Sequence, residues 1–333
     1  MRVVAVDPER PEAGAIEEAV RILRAGGLVA FPTETVYGLG ARALDSKAVA
    51  RVFSAKGRPS GHPLIAHVEG EEGARAIAAE WNERASRLAR AFWPGPLTIV
   101  VPRGERVPAI VAGGGDSIAV RAPAHEIARA LLRALGEPLA APSANKYQTL
   151  SPTTAAHVAK SLGSAVDLIL DGGACTAGIE STVVDVRAET ARILRPGALD
   201  VARLRTVLSD MIAEEKAVAA DTVRASPGMD ARHYAPRARV FVATDRPAAL
   251  RLAQQHSKAG IRVGLVLRGP PEDLEGIELR VLADEPVEYA RDLFATLHAL
   301  DDTRCEVLVI EDVPAKDDRW WAVADRLRRA SAE

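Results

Sequence analysis

Residues 30–68, AFPTETVYGLGARALDSKAVARVFSAKGRPSGHPLIAHV, constrain the fold more than any other stretch of the chain. The apolar run 28–31 stops at Pro32 and hands over to Thr33, Glu34 and Thr35, which predicts a strand that delivers polar side chains at its end. Asp45 or Ser46 then caps a helix whose apolar positions Val49, Val52 and Phe53 follow the three-and-four spacing of a buried stripe. Lys56 continues that stripe, Gly57 ends the helix, and Pro59 pushes Arg58 into an extended conformation. A lysine at the inner end of a buried face either snorkels out or meets an anion, so two cations converge beside a helix C-terminus. A second strand over 64–68 carries His67 away from the turn at 60–63. The plainer alternative is a solvated Lys-Gly-Arg helix end.

The rest of the chain alternates between the two periodicities. A helix is predicted over 12–25, with Ile16, Val20 and Leu23 on one side and Gly26-Gly27 as its stop. A helical segment holding Ile77, Trp81, Leu88 and Phe92 breaks at Pro94-Gly95-Pro96. Strands follow over 97–101, over 117–120 with Arg121 at its end, and over 138–141, which leads into Pro142-Ser143-Ala144-Asn145. A helix spans 125–135, Ser151-Pro152 reads as another helix start, and strands at 166–170, 182–186 and 191–194 complete the series. This predicts one α/β domain with a twisted mixed sheet over 1–199. Residues 200–236 read as a helix over 200–213 and then a linker containing SPGMDARHYAP. From 237 to 333 strands and helices alternate as in a smaller, Rossmann-like doubly wound domain.

Composition excludes several function classes. A net charge of -2 over 333 residues argues against a surface wholly devoted to nucleic acid, while leaving room for a local basic groove. Cys175 and Cys305 are the only cysteines and form no CxxC pair, which suits a reducing cytosol and predicts neither a disulfide framework nor a zinc site. The opening MRVVAVDPERPEAG has no apolar core of a signal peptide, and no apolar run approaches the roughly 18 residues of a membrane span. The expectation is a soluble cytoplasmic protein.

Tempting motifs fail on context. Gly38-Leu39-Gly40-Ala41-Arg42-Ala43 matches the dinucleotide fingerprint in letters, but that turn should open a helix at once and the helical pattern starts only near Asp45. There is no GxxxxGK[ST] and no HExxH. The better constellation is a set of cations at element ends, Lys56, Arg58, Arg121 and Arg195, with hydroxyls at Thr35, Ser117, Ser143, Ser151 and Ser181. Such a set suits a pocket for a polyanion beside a small zwitterion, because guanidinium forks grip carboxylate and phosphate while an ammonium acts as a point charge.

The string PTET-VYGLGA, then Lys56-Gly57-Arg58-Pro59, then His62-Pro63-Leu64-Ile65-Ala66-His67 resembles the opening signature of the YrdC/Sua5 family, the threonylcarbamoyl-adenylate synthases of tRNA modification. Further matches are Ser143-Ala144-Asn145, the GIESTVVD segment over 178–185, Arg195-Pro196-Gly197, and the SPGMDARHYAP linker over 226–236, which points to the longer two-domain form. The resemblance implies a YrdC-like catalytic domain (1–199), a linker acting as a lid (200–236) and a C-terminal Sua5 domain (237–333). It implies that L-threonine is held by Thr35, His67, Arg121, the main chain at Ala141, and Ser181. ATP is then held by Lys56, Arg58, His62, Ser117, Ser143, Asn145, Ser151, Arg195 and Tyr234, with Lys56 and Arg58 as the catalytic cations. Magnesium is expected to arrive with the triphosphate, with no protein side chain as ligand.

The implied reaction joins L-threonine, bicarbonate or carbon dioxide, and ATP into threonylcarbamoyl-AMP and pyrophosphate, for the machinery that modifies tRNA. Direct contact with tRNA stays open at this point. Two other readings are an RNA-binding module using the same groove and a related carbamoyl-transfer enzyme, whose zinc-finger CxxC pairs and acylphosphatase domain are missing here. Three positions depart from the pattern: His62 stands where asparagine is expected, the loop 146–150 lacks a glycine, and the last helix lacks one just before Ala322.

Overall fold

A computed structural model describes residues 1–209, 212–213, 232–270, 274–314 and 317–332. The first six residues of the SPGMDARHYAP motif lie outside the described residues. The chain forms two compact units. The first comprises Met1–Tyr147, Pro152–Thr176 and the described residues from 180 to 213; the second comprises Gln148–Ser151, Ala177–Ile179 and those from 232 onward.

In chain order the first unit contains β1 (Arg2–Ala5), α1 (Ala13–Arg24), β2 (Val29–Phe31), β3 (Gly38–Arg42), α2 (Ser46–Lys56), β4 (Ile65–His67), α3 (Glu71–Arg75), α4 (Glu83–Phe92) and β5 (Leu97–Pro102). It continues with β6 (Ser117–Arg121), α5 (Glu126–Leu135), β7 (Leu139–Ala140), α6 (Ala155–Leu162), β8 (Leu168–Asp171), β9 (Thr182–Asp185), β10 (Arg192–Arg195), α7 (Val201–Val207) and β11 (Ile212–Ala213). The strands make one mixed sheet in the order β1-β8-β2-β3-β7-β4-β6-β5-β9-β10-β11.

Local chemistry sets the ends of these elements. The Asp45 carboxylate accepts from the Lys47 and Ala48 amides at the start of α2, and Gly57 closes the helix at φ 63, a left-handed conformation that glycine adopts without steric cost. α1 and α5 lay Ile16, Val20, Leu23, Ile127, Leu131 and Leu135 over Val29, Phe31, Leu139, Leu168 and Leu170.

Several sequence expectations are corrected. β1 and β3 were not expected from the sequence; β3 reads GLGAR, too rich in glycine to signal a strand. A Cβ on Gly40 would come within 2.8 Å of the Phe31 ring, so the missing side chain makes room for that ring across the β2–β3 pair. Ile77 and Trp81 fall between α3 and α4 rather than on one helix. The helix expected at Ser151-Pro152 starts later, where Thr154 caps α6 by accepting from the His157 amide. The helix expected over 200–213 ends at Val207.

The second unit has β12 (Arg239–Ala243), α8 (Arg246–Lys258), β13 (Val263–Arg268), β14 (Glu278–Leu282), α9 (Pro286–Asp302), β15 (Val307–Glu311) and α10 (Trp321–Ala330). Its sheet, ordered β12-β15-β13-β14, is parallel throughout. Ala249 and Ala253 of α8 pack on Val263, Leu265, Leu267, Val307 and Val309. Leu300 of α9 lies on the opposite face, within 3.1 Å of where a Cβ on Gly264 would sit. Helices on both faces make this the doubly wound arrangement expected from the sequence.

Candidate active site

Strand register places the polar residues of the first unit. Directly paired residues of neighbouring strands share a face, as do residues two apart along a strand. Phe31 pairs with Gly38, and Gly38 bridges to Ser143. His67 pairs with Leu139 and with Arg121. Ile65 pairs with Ala119, Ala119 with Val100, Ser117 with Pro102, and Thr98 with Val183, which in turn faces Arg195. Phe31, Ser143, His67, Ser117, Arg121, Thr98 and Arg195 therefore stand on one face. Between them Ile65, Val100, Ala119 and Val183 form a small buried apolar floor.

One corner is built around Arg121. Its Nη1 donates to Thr35 Oγ1 at 2.8 Å, its Nε donates to the Gly95 carbonyl at 3.3 Å, and its Nη2 lies 2.7 Å from Glu34 Oε1. The Ala141 amide donates to the Ile65 carbonyl at 2.9 Å, which ties β7 to β4 beside His67. His67 is 3% exposed and meets the Phe31 ring edge-on at 6.3 Å. Its Nδ1 is buried with no hydrogen-bond partner among the described residues.

Burial, reinforced by the Arg121 charge, pushes the His67 imidazole down to about 3, so it is neutral at ordinary pH. In the unfolded chain a histidine titrates near ~6.5. The unfolded state thus takes up the proton first, and the stabilisation present above about pH 6.5 is lost as pH falls toward 3, at ~1.4 kcal/mol per pH unit. His67→Gln should flatten the fall in Tm between about pH 6.5 and pH 4. An acid slope identical to that of the unaltered chain would show that His67 is not what loses stability there.

A second corner holds Ser181 and Arg195. Arg195 Nη2 donates to the Ser181 carbonyl at 2.9 Å and to its Oγ at 3.1 Å, and Ser181 Oγ lies 2.7 Å from Thr98 Oγ1. Gly197 makes this possible, since a Cβ there would sit 2.4 Å from the Glu180 carbonyl oxygen and from the Thr182 nitrogen.

A third group gathers at the C-terminus of α2. Lys56, 2% exposed, donates through Nζ to the carbonyls of Ser143 and Asn145, and Asn145 Oδ1 lies at 3.5 Å. In return the Tyr147 amide donates to the Lys56 carbonyl at 2.8 Å and Lys146 Nζ to the Ala55 carbonyl at 2.9 Å. Arg58 donates to the Pro63 carbonyl at 3.2 Å and lies over the Tyr147 ring at 5.7 Å, while His62 meets that ring edge-on at 5.4 Å. The solvated helix end is thus ruled out. Burial, with Arg58 and Lys146 nearby, lowers the Lys56 ammonium well below the ordinary lysine value. The Lys56 ammonium thereby fastens the loop carrying Ser143 and Asn145 to the end of α2.

Ser151 and Tyr234 belong to the second unit. There His298 Nε2 lies 3.1 Å from the Ser151 carbonyl, and Tyr234, at φ 59, packs on His233, Phe294 and the Arg326 guanidinium. Ala235 continues this docking by donating to the Gln148 carbonyl at 3.0 Å.

Sequence reasoning assigned no role to Thr33, Glu34, Thr98 or Tyr147. Thr98 carried a usable signal, as the one hydroxyl in the apolar run LTIVV. Glu34 carried a weaker one, standing between two threonines at a strand end. Tyr147 carried none, because its value comes from docking beside residues far away in sequence.

The fold and this site define a class: a two-unit α/β protein whose larger sheet presents cations and small hydroxyls on one face. The family profile described as "Telomere recombination", Sua5_yciO_yrdC, matches residues 21–197. The profile described as "Threonylcarbamoyl-AMP synthase, C-terminal domain" matches residues 199–332. The chain belongs to the Sua5/YrdC/YciO family, in the form that also carries the Sua5 C-terminal domain. It is 43% identical over 330 residues to the threonylcarbamoyl-AMP synthase of Pyrococcus abyssi, covering 97% of this chain and 96% of that one. It is 34% identical to the threonylcarbamoyl-AMP synthase of Bacillus subtilis over 304 residues, covering 90% and 88%. The crystal structure of P. abyssi Sua5 complexed with L-threonine aligns with a TM-score of 0.93 at 42% identity, over 99% of this chain and 98% of that one. Among the described residues no helix is long and apolar enough to cross a membrane.

Proposed function

We propose that this chain is an L-threonylcarbamoyladenylate synthase, a nucleotidyltransferase that makes threonylcarbamoyl-AMP and pyrophosphate from L-threonine, bicarbonate or carbon dioxide, and ATP, for N6-threonylcarbamoyladenosine in tRNA. The observation that carries this reading is the gathering of Arg121, Thr35 and His67 on the same sheet face as Ser181, Arg195 and Ser143. The activity for which the relatives are named and the threonine held by P. abyssi Sua5 support it.

The chemistry asks for alignment rather than a protein nucleophile. A neutral threonine amine attacks carbon dioxide and gives up a proton to water, the carbamate oxygen forms a bond to the α-phosphorus, and the bond from that phosphorus to the pyrophosphate oxygen breaks. Electrostatic stabilisation and positioning dominate such transfers. In this proposal Arg121 takes the threonine carboxylate, Thr35 and Ser181 orient the amino acid, and neutral His67 adds an uncharged contact. Arg58 and Arg195 neutralise the phosphates, His62, Ser117, Ser143 and Asn145 contact the nucleotide, and Lys56 holds the loop that carries the last two. For Ser151 and Tyr234 the nucleotide assignment rests on family resemblance. Magnesium enters as part of the MgATP substrate. The deciding experiment is mass spectrometry of a reaction containing ATP, L-threonine and bicarbonate, each omitted in turn. Threonylcarbamoyl-AMP should form only when all three are present, and its absence from the complete mixture would refute the assignment.

A further inference from the structure

Beside Arg121 lies a largely enclosed carboxylate that the proposed reaction leaves without a task. Glu34 and Arg121 have side chains only 13% and 4% exposed, with Oε1 and Nη2 2.7 Å apart. Glu34 Oε2 accepts from the Ala124 amide at 3.0 Å, which fixes the carboxylate against the segment following β6. Neither Oε1 nor Nη2 takes part in an aligned hydrogen bond, so the pair is held by charge while Nη2 keeps buried hydrogens without an acceptor among the described residues.

The threonines next to it are linked through their hydroxyls. Thr33 Oγ1 accepts from the amides of Thr35 and Val36, both at 3.2 Å, and can donate to the Val36 carbonyl at 2.7 Å. The two hydroxyls lie 2.8 Å apart, and either oxygen can be the donor. Thr35 Oγ1 also accepts from Arg121 Nη1, so the same guanidinium is tied to both Thr35 and Glu34. The corner thus presents buried guanidinium hydrogens beside a small hydroxyl. This pattern matches a carboxylate and a neighbouring polar group on the same small molecule.

We propose that Glu34 is a positioning residue for amino-acid recognition. It offsets the buried Arg121 charge and keeps the guanidinium turned so that its free hydrogens and the Thr35 hydroxyl meet one ligand. A buried cation stripped of its counter-charge is costly and relaxes away from such a pose. The inference rests on the threonine-binding reading of this corner and deepens it.

The test is calorimetry on the full chain with L-threonine, L-threoninamide and ATP, comparing the unaltered protein with Glu34→Gln. Threonine affinity should fall about tenfold, ATP affinity should stay within about twofold, and the preference for threonine over threoninamide should shrink, because that preference reports the grip of Arg121 on the carboxylate. In turnover the loss should appear in KM for threonine rather than in kcat. Equal losses for threonine and threoninamide, or an equal loss for ATP, would reduce Glu34 to a structural role and overturn the proposal. An unaltered chain with no affinity for threonine would overturn the underlying reading as well. Should Glu34→Gln fail to fold, Glu34→Asp keeps the charge and draws the carboxylate back from Arg121 Nη2. It should weaken threonine by a similar factor and spare ATP, and undiminished threonine affinity in that variant would equally overturn the proposal.

Discussion

Lys56→Met should give a folded chain that is less stable by about 2–4 kcal/mol and binds ATP about a hundredfold more weakly. The ammonium serves the carbonyls of Ser143 and Asn145 in a buried setting, and methionine matches its length without its donors. The Asn145 carbonyl would lose a buried donor and the Ser143 carbonyl one of its two, the other being the Asn145 amide at 3.0 Å, a loss of about 1–3 kcal/mol each at most, partly offset by the relief of a buried charge. The same loop is stitched to the end of α2 by the amide of Tyr147 and the side chain of Lys146, and Tyr147 in turn supports Arg58 and His62. Freeing one stitch therefore displaces several groups assigned to the nucleotide. Denaturant unfolding and ATP calorimetry together decide the role. Full stability with lost ATP binding would mean that the ammonium acts on the nucleotide directly.

Gly197→Ala should be comparably damaging for a different reason. The added methyl group would sit 2.4 Å from the Glu180 oxygen, from the Ser181 carbonyl carbon and from the Thr182 nitrogen, all backbone atoms that cannot rotate away. The Ala198 amide bonds to the Glu180 carbonyl at 2.9 Å, and Thr182 Oγ1 exchanges hydrogen bonds with Leu199, so the two segments move only together. Overpacking of this kind costs about 1–3 kcal/mol, and the strain falls on the Ser181–Arg195 contact. Threonine and ATP affinities should both drop by about tenfold or more, in contrast to the selective loss expected for Glu34→Gln. A variant with unchanged Tm and unchanged ligand affinities would show that the segments part more easily than their hydrogen bonds indicate.

What could be read in advance divides along a physical line. α2 was legible from its Asp45 cap to its Gly57 stop because capping, left-handed glycine and apolar spacing act within a few residues. β5 and β6 were legible as short apolar runs. β3 was not, because its glycines serve Phe31 on the neighbouring strand, and that packing has no local trace. Thr154 rather than Ser151 caps α6 for a related reason: Ser151 belongs with the second unit, where His298 meets its carbonyl, and nothing near it in sequence says so.

For the site the sequence by itself determined which chemical groups are present: cations at element ends, hydroxyls after strands, and motifs whose letters match one family. Only the tertiary structure decided what each group touches. Strand pairing put His67 opposite Arg121 and Thr98 beside Ser181, burial tied Lys56 to the loop carrying Asn145, and the turn after β2 set Glu34 and Thr35 on the Arg121 guanidinium. Identity is written residue by residue along the chain, but direction, burial and hydrogen bonding arise between residues a hundred positions apart and exist only once the sheet has formed.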